Sequence, residues 1–211
     1  MIVPSMNSEE LLVEIFKDLE VVNRKADYLT QSLRRKAIKS KEKYVQRIFD
    51  YKSMRHNQWF IVAEHFVKHY RFVRAVYYNN RLGLNGITVD GDNLTMNHFS
   101  THFLDRYNER FLESKGASHL ELLKRFVLSN SVHSIRSSQG IRSNEQQIFV
   151  KLKEGVGLGY KEFLQGRCVM FHFKTFISNE MLLNHQIEDY TTLSKRYDYF
   201  EEECLRGKKC A

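Results

Sequence analysis

Three side chains four residues apart carry the most evident chemistry in this 211-residue chain: His102, Arg106 and Arg110. On an α-helix that spacing stands the residues one above the next on a single face. An imidazole that titrates near neutrality, beside two guanidinium groups, is equipped to hold a phosphodiester and to move a proton. Ser100 or Thr101 can cap such a helix, after a short extended run over 93–99. His102 then falls in the first turn, where the helix dipole and free N–H groups favour a phosphate. Cleavage of RNA without metal needs a base near the 2′-hydroxyl, an acid at the leaving oxygen, and positive charge on the transition state. His102 can serve as base or acid, and Arg106 and Arg110 can supply the charge. The competing arrangement is a solvated face, with Arg106 paired to Glu109 or Glu113 and Arg110 to Asp105 or Glu113.

A second candidate surface lies further along the chain. Over 167–177, Val169, Phe171, Phe173, Thr175 and Ile177 alternate with Cys168, Met170, His172, Lys174 and Phe176, which is strand periodicity. If Phe171 and Phe173 face helices, His172 and Lys174 face the open side and complement a phosphate path. A cationic outer face kept for solubility is the alternative. Thr175 and Ser178 can hydrogen-bond a substrate phosphate, or Ser178 can cap the next element. Arg34, Arg35 and Lys39 belong to a basic stretch over 34–47 that is opposed only by Glu42. That stretch suits electrostatic grip on a nucleic-acid backbone, or equally a solvated helix.

Periodicity predicts the elements needed to position these groups. Residues 7–50 read as helix: Asn7 or Ser8 caps, Glu9 and Glu10 suit the first turn, and Leu11, Leu12, Ile15, Phe16, Leu19 and Val22 make an apolar face. A break near 39–41 divides this region into two helices. Aromatic and β-branched runs over 59–63 and 72–78, with Asn/Gly turns between them, predict a small antiparallel meander, with helix as the rival over 59–76. The His102 helix and a second over 117–128 come next. A Ser-, Arg- and Gln-rich stretch over 130–145 reads as an exposed loop. Three strands over 147–152, 156–163 and 167–177 lead to a closing helix through about residue 199. The fold class expected is therefore α+β. N-terminal helices and a small antiparallel meander precede two helices packed on an antiparallel sheet, with a C-terminal helix to close. Residues 1–56 form a basic helical accessory region, 57–200 an α+β domain, and 201–211 a flexible tail.

Composition narrows the partners. A formal charge of +8 suggests a polyanion, nucleic acid before membrane, with RNA more natural than DNA for a His/Arg face. No run of about 18 apolar residues predicts a membrane span, and no leader pattern opens the chain. Three cysteines (Cys168, Cys204 and Cys210) make no disulfide framework and suit a reducing, cytoplasmic setting. The pairs His98/His102 and His65/His69, the latter beside Glu64, have zinc-ligand spacing on a helix, but Phe99 stands where the first pair would need an internal Glu. Unligated histidines are expected, with neither metal nor cofactor. The glycines of 155–159 lack both the dinucleotide and the P-loop pattern and suit close backbone approach.

The segment Phe99-Ser-Thr-His102-Phe-Leu-Asp-Arg106-Tyr-Asn-Glu-Arg110, with Lys174-Thr-Phe-Ile-Ser178 further on, resembles the barnase/EndoU/colicin/RelE-like ribonuclease superfamily. The likeness covers residues 95–180. It implies a toxin-like, metal-independent endoribonuclease whose site is lined by His102, Arg106, Arg110 and Thr175. It also implies an inhibitory protein partner. Apart from that likeness, the strand face and the basic stretch make His172, Lys174 and Ser178 the expected substrate contacts, with Arg34, Arg35 and Lys39 extending the grip. A nucleic-acid-binding module without catalysis, and a protein-interaction component built on the N-terminal apolar stripe, are the alternatives.

Overall fold

The computed structural model describes residues 1–66, 69–130, 134–138, 146–182, 190–196, 198 and 199. Helix α1 (Ser8–Ser40) begins at a capping box: the Asn7 side chain accepts from the Glu10 N–H at 3.0 Å, and Glu10 accepts from the Asn7 N–H at 2.9 Å. Two of the free N–H groups at the helix start are thereby satisfied. Leu11, Ile15, Leu19, Val22, Ala26, Thr30, Leu33 and Ala37 recur at three- and four-residue steps and are all buried. Lys41, in the left-handed region at φ 59°, ends the helix where a break was expected.

Beyond Lys41 the chain becomes a strand, β1 (Tyr44–Lys52), and the second N-terminal helix expected there does not form. Tyr44 and Ile48 are four apart, a spacing that fits one helix face and one strand face alike. Val45, Ile48, Phe49 and Tyr51 are residues that favour a pleated surface, and β2 (Gln58–Phe66) offers an edge for them to pair with. Strands β3 (His69–Asn80), β4 (Gly83–Val89) and β5 (Thr95–Phe99) complete an antiparallel meander.

Helix α2 (Thr101–Tyr107) runs into a π-helical turn (Asn108–Leu112), and helix α3 (His119–Ser129) comes after it. The second meander is β6 (Ser134–Ser138), β7 (Gln146–Lys151), β8 (Gly155–Phe163) and β9 (Val169–Ser178). Part of the stretch expected to be loop is thus strand β6, while 131–133 and 139–145 lie outside the described residues. A 3₁₀ turn (Asn179–Met181) succeeds Ser178, which makes no capping hydrogen bond, and residues 190–196 and 198–199 are helical. The remainder of the expected closing helix and the tail with Cys204 and Cys210 lie outside the described residues.

The two meanders form one nine-stranded sheet in the order β1-β2-β3-β4-β5-β9-β8-β7-β6, joined where β5 and β9 pair in parallel. The architecture is α+β, as expected. Helices α2 and α3 cover one face, on an aromatic core of Phe99, Phe103, Tyr107, Phe126, Phe173 and Phe176. Helix α1 covers the other, on Trp59, Val76, Ile87, Met96 and Met170. No helix among the described residues is long and apolar enough to cross a membrane. Gly86 on β4 admits α3 closely, since a Cβ there would meet Leu123 Cδ2 at 2.4 Å.

Phe103 is the centre of the aromatic core. It is fully buried, with ring centroids at 5.1 Å from Phe126 and 5.5 Å from both Phe99 and Phe173. Phe103→Ala is expected to lower unfolding free energy by about 3–5 kcal/mol, read as a shift of the urea midpoint at unchanged slope.

Candidate functional site

The sheet separates the residues that the sequence suggested would cooperate. Side chains alternate across it, so Phe99 and Phe173 face α2 and α3 while Met96, His98, Met170 and His172 face the α1 side. His102, exposed on α2, is therefore on the opposite side of the sheet from His172 and Lys174. The shared cleft that would have united them is not formed.

Helix α2 keeps its expected cap, with Ser100 Oγ accepting from the Phe103 N–H at 3.3 Å. Beyond it, the four-residue ladder is interrupted. Arg106 Nη1 donates to Glu109 Oε2 at 2.7 Å on a solvated flank. The π-helical turn then inserts extra backbone per turn, which carries Arg110 off the line of His102 and Arg106. Its Nη1 donates to the carbonyl of Phe176, next to Thr175. Arg110 and the Thr175 segment are thus brought together, with His102 and Arg106 standing apart. Opposite Leu158 and Gly159, β9 carries an extra residue, and this bulge sets Lys174 outward into solvent.

The basic stretch has its own geometry. The second half of α1 and the edge strand β1 border a groove of about 500 Å³, lined by Leu33, Lys36 and Ala37 on one wall and Val45, Arg47 and Phe49 on the other. Lys36 and Arg47 line it, and Arg35, Lys39, Lys41 and Lys43 are exposed along the same stretch of chain. Arg34 is turned away from them, its guanidinium 5.3 Å above the Tyr70 ring.

A cluster that sequence reasoning did not assemble lies at the junction of the two meanders. The parallel pairing puts His98 of β5 opposite His172 of β9, with their Nδ1 atoms 3.0 Å apart and their rings edge to face at 88°. His98 Nε2 lies 3.2 Å from Asn85 Oδ1, and His172 Nε2 lies 2.8 Å from Glu162 Oε2. Tyr160 stacks on His172 at 4.6 Å, and Lys174 Nζ sits 5.1 Å above the Tyr160 ring. Burial, aided by the positive charges of His172 and Lys174, pulls the His98 imidazole down to about 3. His98 and His172 are each visible in the sequence; their pairing depends on a register between strands about 70 residues apart, which periodicity does not report. The zinc-spaced pairs dissolve in the fold: His98 and His102 fall on opposite sides of the sheet, and His65 and His69 on successive strands of the β2–β3 hairpin.

On the α2/α3 side a cavity of about 40 Å³ is lined by Val73, Thr88, Asp90, Phe126 and Asn130. Burial, reinforced by the Asp92 carboxylate, pushes the Asp90 carboxyl up to about 6 against the opposing pull of Arg74 and Asn97. Asn97 Nδ2 lies 3.2 Å from both Asp90 Oδ1 and Thr88 Oγ1. A single water-sized occupant is what such a space holds.

No family model, no curated protein and no solved structure matches this chain.

Asp90 and His98 give stability opposite pH dependences. Asp90 binds its proton more tightly folded than unfolded, so its contribution is present below about pH 4 and is lost as pH rises through about 6. His98 is held neutral, so the unfolded chain takes the proton first and stability falls as pH drops below roughly 6.5 toward 3. Asp90→Asn is expected to stabilise the protein by about 1–3 kcal/mol at pH 7 and to be neutral below about pH 4 in urea unfolding. An equal effect at both pH values would contradict this assignment.

Proposed function

We propose that this chain is a nucleic-acid-binding module that takes single-stranded RNA in preference to DNA along the groove between α1 and β1. The observation that carries this reading is a groove lined by Lys36 of α1 and Arg47 of β1, with Arg35, Lys39, Lys41 and Lys43 exposed along the same stretch and Glu42 as the one carboxylate in the lining. Cations spaced along a groove neutralise successive phosphates, and the counterions released supply most of the affinity. The floor of Leu33, Ala37, Val45 and Phe49 is apolar. Bases splayed from a single strand can bury against such a floor, whereas a duplex keeps them stacked inside.

Lys36→Ala and Arg47→Ala are each expected to weaken binding of a single-stranded RNA oligonucleotide, whatever its sequence. Each should reduce the slope of log affinity against log salt by about 0.7, the value for one phosphate contact on a single strand. Lys115→Ala, an exposed cation in the α2–α3 connection, serves as the control. Affinity indifferent to salt, or an equal loss in the control, would remove the groove from the account.

A second reading, metal-independent endoribonuclease activity, is favoured by one feature: His102 is exposed in the first turn of α2, open to an incoming phosphate. Against it, Arg106 is occupied by Glu109 and Arg110 by the Phe176 carbonyl. This reading expects RNA cut in EDTA to carry 2′,3′-cyclic phosphate ends, and His102→Ala to slow the cut by about 100-fold or more. Full cleavage by the variant would exclude His102 from the chemistry.

A further inference from the structure

We infer that His98 and His172 together bind one proton at the junction of the two meanders, as an imidazole–imidazolium pair whose counter-charge is Glu162.

The two rings present four nitrogens, and their neighbours dictate which of them carry hydrogen. Asn85 Nδ2 donates to the Gly83 carbonyl at 3.1 Å, which fixes the amide so that its oxygen faces His98. That oxygen only accepts, so His98 Nε2 must carry hydrogen. Glu162 Oε2, 2.8 Å from His172 Nε2, is likewise an acceptor when ionised, so His172 Nε2 carries hydrogen too. A neutral imidazole has a single N–H. Two neutral rings would therefore aim bare lone pairs at each other across the 3.0 Å that separates the Nδ1 atoms. One proton placed between them turns that repulsion into an N–H···N hydrogen bond of ordinary length.

The surroundings decide which ring carries the charge. His172 has the Glu162 carboxylate at 2.8 Å, whereas His98 faces the neutral Asn85 oxygen, so the charge settles on His172 and His98 acts as acceptor. His172 then holds hydrogen on both nitrogens, with Glu162 at one end and the face of Tyr160 stacked on its ring. The other charged and titratable groups nearby have their own places. Lys174 of β9 lies across the Tyr160 ring, and Tyr78 of β3 has its hydroxyl 3.5 Å from His98 Nε2. On α1, Glu14 is paired with Arg55, while Asp18 accepts from Asn57 and Trp59. A metal ion could also bridge two Nδ1 atoms, but among the described residues no group of three or more His, Cys, Asp or Glu converges to complete its shell. The Glu162 side chain is 40% exposed against 7% for His172, so the counter-charge stands at the edge of the site.

Nitrogen-15 NMR of the full chain at pH 7 tests this directly. The expected result is His98 neutral with hydrogen on Nε2, and His172 with hydrogen on both nitrogens. In Glu162→Gln the amide can turn its NH₂ toward His172 Nε2, so His172 is expected to become neutral with hydrogen on Nδ1 only. Both variant and wild type are read on folded protein, since position 162 is at the surface. A singly protonated His172 in the wild type, with the proton resident on Glu162, would overturn the inference. So would a His172 that stays doubly protonated in Glu162→Gln, or stoichiometric zinc retained through dialysis with both Nδ1 resonances shifted.

Discussion

The parallel pairing of β5 with β9 is the constraint on which the rest of this molecule depends. Antiparallel neighbours can be joined by a tight turn, but a parallel pair requires a long crossover. Here the crossover is everything from α2 through β8, so the whole second meander is hung on one five-residue register, Thr95–Phe99 against Val169–Phe173. Side-chain alternation makes that register strict, because a slip of β9 by one residue would turn Phe173 out of the aromatic core and bring His172 or Lys174 toward Phe99. The same register that packs Phe99 on Phe173 at 4.8 Å sets His98 against His172 on the reverse side. Core and proton site are two faces of one pairing.

Helix α1 solves a related problem with charge. It lies on the second face and buries Glu14 and Asp18 as well as its leucines. Neither acid is stranded. Arg55 holds Glu14 in a two-nitrogen contact and draws its carboxyl down to about 2, and Asp18 accepts from both Asn57 and the Trp59 indole. On the opposite face, Glu64 is fully buried and takes Arg71 and Gln46. Buried carboxylates of this kind tolerate desolvation because each is hydrogen-bonded, Glu14 and Glu64 to an arginine and Asp18 to two neutral donors.

Local signals in the sequence are strong where a single element decides its own boundaries. The Asn7 box, the Ser100 cap, the turn-bounded aromatic runs of β2 and β3, and the alternation along β9 as far as Phe173 can each be read without knowing what lies across from them. The bulge at Lys174, by contrast, returns Phe176 to the face of Phe173 against the expected alternation. Periodicity misleads where a neighbour decides. Strand β1 owes its state to the open edge of β2, and good helix formers just before it disguise the change. The π-helical turn at Asn108–Leu112 costs α2 its regular phase, and with it the ladder that made His102, Arg106 and Arg110 look like one face. Nothing in the spacing of those residues reports that extra backbone.

The cationic groove invites a second explanation that has nothing to do with ligands. Strand β1 is an edge of the sheet, and edge strands commonly carry Lys or Arg so that their unpaired backbone does not recruit another chain. Arg47 and the neighbouring Lys43 serve that purpose well. Edge protection does not extend to Arg35, Lys36 and Lys39, which project from a helix whose backbone groups are already satisfied. Nor does helix stability call for them in number, since like charges three and four apart repel. Lys36 of α1 and Arg47 of β1 line the same groove, and the like-charge repulsion that α1 tolerates beside it is what the proposed polyanionic partner would offset.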